Sequence, residues 1–432
     1  MSSEDLKNKI NQKLIQWTRY NAKVGSETFQ HAVAKQCHYY MYDPHFESQL
    51  NQNLQFSFAS KQVLRLEIVP STEDPSGQKL TIKIEDRTIS HNCSKQFSYA
   101  YDPEATYTND NLLNQFFNGF FDNKPENINY FFSLYGNGIL GNLMQIFLIL
   151  KGPAGSAKSS MVNALDSTLE EYSTTASKSA FLYNPHRSGS GLTPDLMALS
   201  SYKFANIGEY LDKDRIDYDR INSFTGGDKY AGRNCHGKIS VFETTLMPIL
   251  ICNSPPEFIT NEGTERRCNI YQTDKMFRIK NCPNPKMRFD PNNPQHVECN
   301  PLMITQLKRL SNYQKSAIFN LILYGAKLLI SAGRLIPPES MIIDLTQTLN
   351  ESDPFKLWTI NDLDYDSSFK TPAKDLLNAF LSWTQNEQLK LDQQYNAFNF
   401  SKKLVQANIP KISYGGKNYY QCKSKLSSNL NY

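Results

Sequence analysis

The residues best suited to chemistry form a glycine-rich run, Gly152-Pro-Ala-Gly-Ser-Ala-Lys-Ser159. Between a strand and a helix, such a turn presents backbone N–H groups to a phosphate chain, and the helix N-terminus adds positive potential. Lys158 would reach the β- and γ-phosphates of a nucleotide, and the Ser159 hydroxyl would ligate Mg²⁺. Ala157 stands where this pattern usually has glycine, and an ordinary turn with an incidental Lys-Ser pair is the alternative. The predicted nucleotide contacts are Gly152, Pro153, Ala154, Gly155, Ser156, Ala157, Lys158, Ser159 and Ser160.

A phosphate site of this kind also needs a carboxylate that holds Mg²⁺ and orients the attacking water. The apolar segment YKFANI at 202–207 runs into Gly208-Glu209, and no aspartate precedes the glutamate. Glu209 is therefore the predicted catalytic and metal-binding carboxylate, with one residue serving both roles. The alternative is a plain surface glutamate.

Two further polar sites follow in the chain. Asn253 ends the apolar segment MPILIC at 247–252, where its amide could hydrogen-bond the attacking water or the γ-phosphate; it could equally be a turn former before Ser-Pro-Pro. Downstream, Arg266 and Arg267 are adjacent. An arginine offered to a neighbour's γ-phosphate stabilises the charge that develops in phosphoryl transfer, which implies an oligomer. The alternative is a solvated charge cluster.

A basic, glycine-rich segment lies between these sites at 225–238. It reads Thr-Gly-Gly-Asp-Lys-Tyr-Ala-Gly-Arg-Asn-Cys-His-Gly-Lys, and a flexible hairpin with cations and rings suits a nucleic-acid backbone and stacked bases. The predicted DNA contacts are Lys229, Tyr230, Arg233, His236 and Lys238. An ordinary basic hairpin is as good an interpretation of this segment alone. Residues 401–432 carry six lysines and no acidic residue, which also suits a polyanion, although a solvated surface tail fits equally well.

The elements that position these residues follow from hydrophobic patterning. Short, wholly apolar runs at 146–150 and 247–252, with a third candidate at 202–207, predict buried strands of a parallel sheet. Alternating apolar and polar residues at 62–70 and 79–84 predict two further strands. Apolar residues spaced by three and four predict helices within 109–143, 302–333 and 372–387. The Pro- and Asn-rich segment 279–301 is predicted to be a loop.

Length and composition place limits on the class of protein. The 432 residues suggest two or three folded units, and 25 Phe and 24 Tyr exclude a disordered chain. The net charge of +4 is too mild to identify a partner. Eight cysteines without a C-x-x-C pair favour reduced thiols and a cytosol-like compartment. The polar N-terminus lacks a signal peptide, and the apolar stretch 139–150 is shorter than the ~20 residues that span a bilayer, so no membrane association is expected.

The order and spacing of these residues resemble those of the superfamily-3 helicases, most closely the phage and plasmid primase-helicases and the poxvirus-type primase-helicases. The residues that carry the resemblance are Lys158, Glu209, the TGGD at 225–228, Asn253 and the arginine pair. Segments 85–105 and 111–143 are similar to the domain that precedes their ATPase core, and the region around Ala379-Phe-Leu-Ser-Trp383 is similar to their C-terminal winged helix. The resemblance implies an α/β fold: a P-loop AAA+-like ATPase core with a mixed α+β N-terminal domain and a C-terminal winged-helix-like domain. The implied bounds are 1–120, 121–335 and 350–432.

By this resemblance the protein would be a ring-forming, hexameric DNA helicase that uses ATP and Mg²⁺ to move on single-stranded DNA and open fork DNA. It would act in replication of a phage, virus, plasmid or organellar element. Gly152, Gly155, Lys158 and Ser159 match the phosphate loop, and the later residues match the acidic motif (Glu209), the polar sensor (Asn253), the inter-subunit arginine finger (Arg266 or Arg267) and the DNA-gripping loop (Lys229, Arg233 and Lys238).

Relatives often carry a primase domain upstream, and this chain begins where the helicase-associated domain would begin. Primer synthesis is therefore not expected, and a primase or polymerase would be a separate partner. The expected location is the cytoplasm of a bacterium or a virus-infected host, or an organelle stroma or matrix. Two other classes stay open: an ATP-binding replication initiator or loading platform that binds DNA without productive unwinding, and a packaging or remodelling ATPase that acts on protein.

Overall fold

The computed structural model describes residues 54–183, 194–208, 216–227, 229–233, 239–254, 262–351, 353–387, 395–414 and 417–425. The first described element is an antiparallel sheet of three strands in the order β1-β2-β3. Its strands are β1 Gln55–Ser57, β2 Gln62–Pro70 and β3 Gln78–Asp86. Alternation within β2 buries Leu64 and Leu66 and exposes Arg65, as the sequence predicts.

The centre of the fold is a five-stranded parallel sheet in the order β10-β4-β9-β6-β5. Its strands are β4 Phe147–Lys151, β5 Ser173–Ala176, β6 Phe204–Ile207, β9 Met247–Cys252 and β10 Cys268–Gln272. The three apolar runs in the sequence are β4, β6 and β9, so the prediction of a mixed α/β fold with a parallel sheet is confirmed.

Strand β4 is apolar from Phe147 to Leu150 because both faces of the sheet are covered. Leu148 and Leu150 belong to one hydrophobic core, which also contains residues of the N-terminal sheet. Phe147 and Ile149, on the opposite face, belong to a second core. The glycine-rich run therefore follows a strand that is covered on both faces.

Helices cover both faces of the sheet and continue into the C-terminal part of the chain. They are α1 Asn111–Phe120, α2 Pro125–Ile139, α3 Lys158–Leu169, α4 Lys178–Phe181, α5 Pro194–Met197, α6 Tyr218–Thr225, α7 Glu262–Arg267, α8 Met303–Leu307, α9 Asn312–Ala332, α10 Glu339–Glu351, α11 Pro354–Asn361, α12 Ala373–Asn386 and α13 Ala397–Gln406. Helix α9 begins with a capping box, in which Ser311 and Gln314 bond each other's backbone N–H, and ends at Gly333 in the left-handed region.

Helices α2 and α9 touch backbone to backbone. A Cβ added to Gly325 would lie 2.1 Å from the carbonyl oxygen of Phe132, and one added to Gly136 would lie 2.3 Å from the amide nitrogen of Ala326. Only glycine permits this approach. By length and apolar composition α9 could cross a membrane, but 56% of its most apolar window is buried inside the protein, as in the core helix of a globular fold.

The remaining strands form small sheets. An antiparallel hairpin consists of β7 Lys229–Arg233 and β8 Ile239–Glu243, and β11 Met276–Arg278 pairs in parallel with β12 His296–Glu298. The C-terminal part has its own core, which includes Phe355, Trp358, Phe380 and Phe400. Its strands are β13 Leu363–Tyr365, β14 Thr371–Pro372, β15 Lys411–Tyr414, β16 Lys417–Tyr420 and β17 Cys422–Ser424. The three domain bounds and the winged-helix assignment stay predictions.

Candidate nucleotide-binding site and arginine pair

The glycine-rich run forms the turn between β4 and α3. Two of its residues have left-handed backbone angles, Gly155 with φ +82° and Ala157 with φ +62°. Ala157 is also the N-cap of α3, and its side chain gives that helix no capping hydrogen bond. A helix N-terminus without a side-chain cap offers its first N–H groups and its positive dipole end to an anion.

Gly152 is required by a close backbone contact, and Gly155 is favoured by its left-handed backbone conformation. A Cβ on Gly152 would lie 2.4 Å from the carbonyl oxygen of Thr273, and a Cβ on Gly155 would lie 2.4 Å from Nη1 of Arg278. The segment that presses on the loop is also bonded to it, because the Phe277 N–H donates to the carbonyl of Gly155 at 2.9 Å. Strand β11 and the turn before it therefore hold the loop from the side.

Lys158 is buried at the base of the loop, where its ammonium lies within hydrogen-bond distance of four oxygens, which share its three N–H groups. These are the Gly152 carbonyl at 2.6 Å, the Pro153 carbonyl at 3.0 Å, the Ser156 hydroxyl at 3.2 Å and Asn253 Oδ1 at 2.9 Å. Strands β4 and β9 are adjacent and parallel, so the residues after their carboxyl ends meet. The structure thus brings together two residues that the sequence analysis selected separately.

A cavity of about 460 Å³ opens beside this pair. Six of its lining residues, 154–159, come from the loop and the start of α3, and Ser160, Gly208 and Asn253 also line it. The facing wall is apolar and consists of Phe116, Ile251, Phe277, Ile279, Met287, Met303, Ile304 and Leu307, with the Cys252 and Cys299 thiols. Burial raises the pKa of the Cys299 thiol, which keeps that wall uncharged. One polar, amide-rich wall and one apolar wall suit a ligand with an anionic chain and a flat ring.

Several predicted site residues lie outside the described residues, namely Glu209, His236 and Lys238. Gly208, which immediately precedes Glu209, lines the cavity at the end of β6. Lys229 is exposed at the start of the predicted hairpin. For Tyr230 and Arg233 the structure describes the backbone alone, and both residues belong to β7.

The arginine pair lies at the opposite end of the sheet from the loop. Arg266 and Arg267 end α7 and directly precede β10, whose first residue Cys268 pairs with Phe147 and whose last residue pairs with Lys151. At ~3.3 Å per residue, the five residues of β10 separate the pair from the loop of the same chain by roughly 16 Å. Arg266 is exposed, so its guanidinium is available to a neighbouring molecule.

Sequence reasoning missed three residues that contact the phosphate loop or the arginine pair. Phe277 and Arg278 were not selected, although Arg278 is buried against the loop and donates to the Phe277 carbonyl at 3.1 Å. Gln145 was not selected either, yet its Oε1 accepts hydrogen bonds from both Arg266 and Arg267. Neither a buried arginine in a three-residue strand nor a glutamine before a strand belongs to a sequence motif. Their contacts join residues more than a hundred positions apart, so local sequence gives no sign of them.

Comparison with known proteins gives a distant viral relative. No family model matches the chain. The chain is 23% identical over 279 residues to the protein named "Putative helicase L207/L206" of Acanthamoeba polyphaga mimivirus, a match that covers 62% of this chain. The chain spans only 27% of the length of that curated relative. It therefore has distant sequence similarity to a viral protein that carries a helicase name.

Solved structures give a weak match over most of the chain. The A-form apo structure of the NrS-1 C-terminal region has a TM-score of 0.41 and 11% identity, covering 82% of this chain and 96% of that one. A second apo structure of the same region has a TM-score of 0.40 and 11% identity, with 82% and 95% coverage.

Proposed function

We propose that this chain is an ATP-dependent DNA helicase of superfamily 3 that acts in replication of a viral, phage, plasmid or organellar element. The observation that carries the proposal is the hydrogen bond between Lys158 and Asn253 at the edge of a cavity with a polar and an apolar wall. A lysine and an amide at the ends of adjacent parallel strands can contact the same γ-phosphate. The distant viral relative with a helicase name agrees with this proposal.

ATP would bind with its phosphates on residues 152–160 and its base against the apolar wall. The loop N–H groups and the N-terminus of α3 would neutralise the phosphates, and Lys158 would exchange part of its present oxygen ligands for phosphate oxygens. The Ser159 hydroxyl and the Glu209 carboxylate would hold Mg²⁺, whose charge stabilises the transferring phosphoryl group. Asn253 and Glu209 would orient the water that attacks.

The arginine pair would act on the neighbouring subunit. A guanidinium beside the γ-phosphate is worth ~10³–10⁵-fold in phosphoryl transfer. Because Arg266 and Arg267 lie at the opposite end of β10 from their own loop, they can reach a γ-phosphate only if a second copy presents its loop to them. A closed ring of identical subunits satisfies this for every site, and we propose a homo-hexamer.

DNA would contact the basic hairpin of β7 and β8 in the ring channel. Lys229, Tyr230, Arg233, His236 and Lys238 would bind single-stranded DNA by charge and stacking. The region 350–432 would be a winged-helix-like DNA-binding domain, to which the lysine-rich end adds charge. The partners would be fork DNA and a separate primase or polymerase, and the location the cytoplasm or an organelle interior, without membrane attachment.

The test is strand displacement on forked DNA with ATP and Mg²⁺. The protein should release the labelled strand, and a Glu209→Gln variant should bind the fork without releasing it. Salt-sensitive fork binding without release by the natural protein, at concentrations where rings form, would contradict the proposal.

A second candidate, an ATP-binding initiator or loading platform, is favoured by one observation. Ala157 adopts a left-handed conformation that glycine adopts without strain, so the phosphate loop carries a backbone strain at this position. In this function nucleotide would govern assembly on DNA without rapid turnover. It predicts tight, salt-sensitive DNA binding with negligible hydrolysis, and rapid ATP hydrolysis would exclude it.

A further inference from the structure

Gln145 connects three separate parts of the proposed motor. It directly precedes Ile146 and β4, the strand that carries the phosphate loop. Its Oε1 accepts hydrogen bonds from Nη2 of Arg266 at 3.3 Å and Nη2 of Arg267 at 3.2 Å. Its Nε2 donates to the carbonyl oxygen of Gly226 at 2.9 Å. One amide thus bonds the arginine pair and the glycine turn that leads into the basic hairpin.

The backbone that presents this amide is fixed by a network of buried asparagines. Gln145 has φ +55°, a conformation that a residue with a side chain keeps only where its surroundings determine it. Its N–H donates to the Asn142 carbonyl at 2.8 Å. The Asn142 side chain bonds Asn137 at 2.7 Å, the Ile146 backbone and the Leu246 carbonyl at 3.0 Å, which joins the loop before β4 to the start of β9.

The far end of the connection is the base of the hairpin. Gly226 caps the C-terminus of α6, and Gly227 follows with φ +74° before Lys229 begins β7. A movement of the hairpin base would move the Gly226 carbonyl, because only two residues lie between Gly226 and the first hairpin lysine, Lys229. The amide of Gln145 would transmit that movement to Arg266 and Arg267, whose guanidinium groups donate hydrogen bonds to it.

Glutamine is chemically specific for this position. Its carbonyl oxygen accepts from the two guanidinium groups while its NH₂ group donates to a backbone carbonyl. Glutamate would keep the acceptor and add charge attraction to the arginines, but it has no proton to donate to Gly226. Leucine has a similar volume and would lose both sets of hydrogen bonds. The two substitutions therefore distinguish two roles of Gln145. One role is to bind the two arginines, and the other is to connect them to the hairpin.

We propose that Gln145 is a positioning residue that orients Arg266 and Arg267 toward the neighbouring subunit's nucleotide and couples that orientation to DNA at the hairpin. The inference rests on the proposed function. In Gln145→Leu, DNA-stimulated turnover falls ~10- to 100-fold, mainly in kcat, as expected when a catalytic group is misplaced by about an ångström. In Gln145→Glu, the arginines keep a hydrogen-bond acceptor while the bond to Gly226 is lost, so stimulation by DNA falls by a larger factor than turnover without DNA.

The experiment measures ATP turnover with and without single-stranded DNA for the natural protein, Gln145→Leu, Gln145→Glu and the control Gln78→Leu, whose side chain is exposed on β3. Thermal unfolding of each variant identifies any that does not fold, and Gln145→Glu carries the test if Gln145→Leu is lost. A natural protein without DNA-stimulated turnover contradicts the proposed function and this inference together. DNA-stimulated turnover that both Gln145 variants retain overturns this inference alone.

Assemblies that mix two variants test whether Gln145 positions the arginines for a neighbouring subunit or only supports the fold of its own subunit. Lys158→Ala subunits keep their arginine pair and lose their own site, whereas Gln145→Leu subunits keep their site and misplace their arginines. Mixed in equal amounts, they form interfaces in which an intact site faces an intact arginine pair. Turnover above the average of the two separate variants supports the proposal, and turnover at or below that average overturns it.

Discussion

The ammonium of Lys158 donates a 2.9 Å hydrogen bond to Oδ1 of Asn253, across the carboxyl ends of adjacent parallel strands. Lys158 follows β4 by the length of the phosphate loop, and Asn253 directly follows β9. The bond therefore exists because β4 and β9 are neighbours in the sheet, although many residues separate them in the chain. It holds the cation at the mouth of the cavity, where a γ-phosphate would meet both groups.

Removing the Asn253 amide should weaken catalysis more than nucleotide binding. In Asn253→Ala, Lys158 keeps its three loop oxygens, so we expect kcat to fall ~10- to 100-fold with a small change in KM. In Asn253→Asp, a carboxylate would pair with the ammonium and compete with phosphate, which should raise KM. Steady-state ATP turnover checks both variants, with exposed Asn292→Ala as the control. An Asn253→Ala variant with unchanged kcat would remove Asn253 from the site.

Glycine at position 157 should relieve backbone strain. Ala157 has φ +62°, and the left-handed region costs a residue with a side chain ~1 kcal/mol relative to glycine. We expect Ala157→Gly to raise the free energy of unfolding by up to about 0.6 kcal/mol, because the strain of ~1 kcal/mol that it relieves exceeds the ~0.4–1 kcal/mol that glycine costs through the entropy of the unfolded chain. Urea unfolding measures the change. A clear loss of stability would mean that the methyl group makes favourable contacts that outweigh its strain.

The crossing of α2 and α9 should not tolerate a methyl group. A Cβ at Gly325 would meet the Phe132 carbonyl at 2.1 Å, and backbone atoms cannot rotate away as a side chain can. We expect Gly325→Ala to destabilise the fold by about 1–3 kcal/mol despite the better helix propensity of alanine. Thermal unfolding compares it with Lys327→Ala, an exposed position on the same helix. Equal stability of the two variants would mean that the helices separate at little cost.

The contribution of Lys203 to stability should rise with pH between about 8 and 9.5. Burial lowers the pKa of Lys203 to about 8, below its value of ~10.4 in an unfolded chain, and the charge of Lys95 lowers it further. Over this range Lys203 binds more protons in the unfolded chain than in the folded one, so its contribution to the free energy of unfolding increases with pH. Lys95, whose pKa is also lowered to about 8, acts in the same direction, whereas burial raises the pKa of the Cys422 thiol, which acts in the opposite direction. Lys203→Met should therefore lower the slope of stability against pH, whereas Lys327→Met, at an exposed position, should leave the slope unchanged. Equal slopes in Lys203→Met and the natural protein would contradict this contribution.

The sequence predicted those parts of the fold that depend on local pattern. The strands β2, β4, β6 and β9, the phosphate loop and Asn253 could all be identified because apolar runs and the polar residues that end them are contiguous in the chain. Strand β10 was missed, because Cys268–Gln272 is short and its polar residues Asn269 and Gln272 leave neither an apolar run nor a regular alternation. Its place beside β4 decides where the arginine pair lies.

The rest of the site depends on contacts that no local pattern encodes. The segment 279–301 was predicted as a loop, and it is mostly irregular, yet it supplies Ile279, Met287 and Cys299 to the apolar wall of the cavity. Gln145 meets Gly226 and the arginine pair only after the sheet has formed. Such contacts combine residues of ordinary type, and their spacing in the chain gives no signal.

The most direct test of the central claim is ATP turnover with and without single-stranded DNA, comparing the natural protein with Lys158→Ala and the exposed control Lys327→Ala. We predict that turnover of the natural protein and of Lys327→Ala rises with DNA, and that Lys158→Ala has no turnover in either condition although it folds. Turnover that persists in Lys158→Ala, or DNA binding without turnover by the natural protein, would contradict a DNA-coupled ATPase built on this loop.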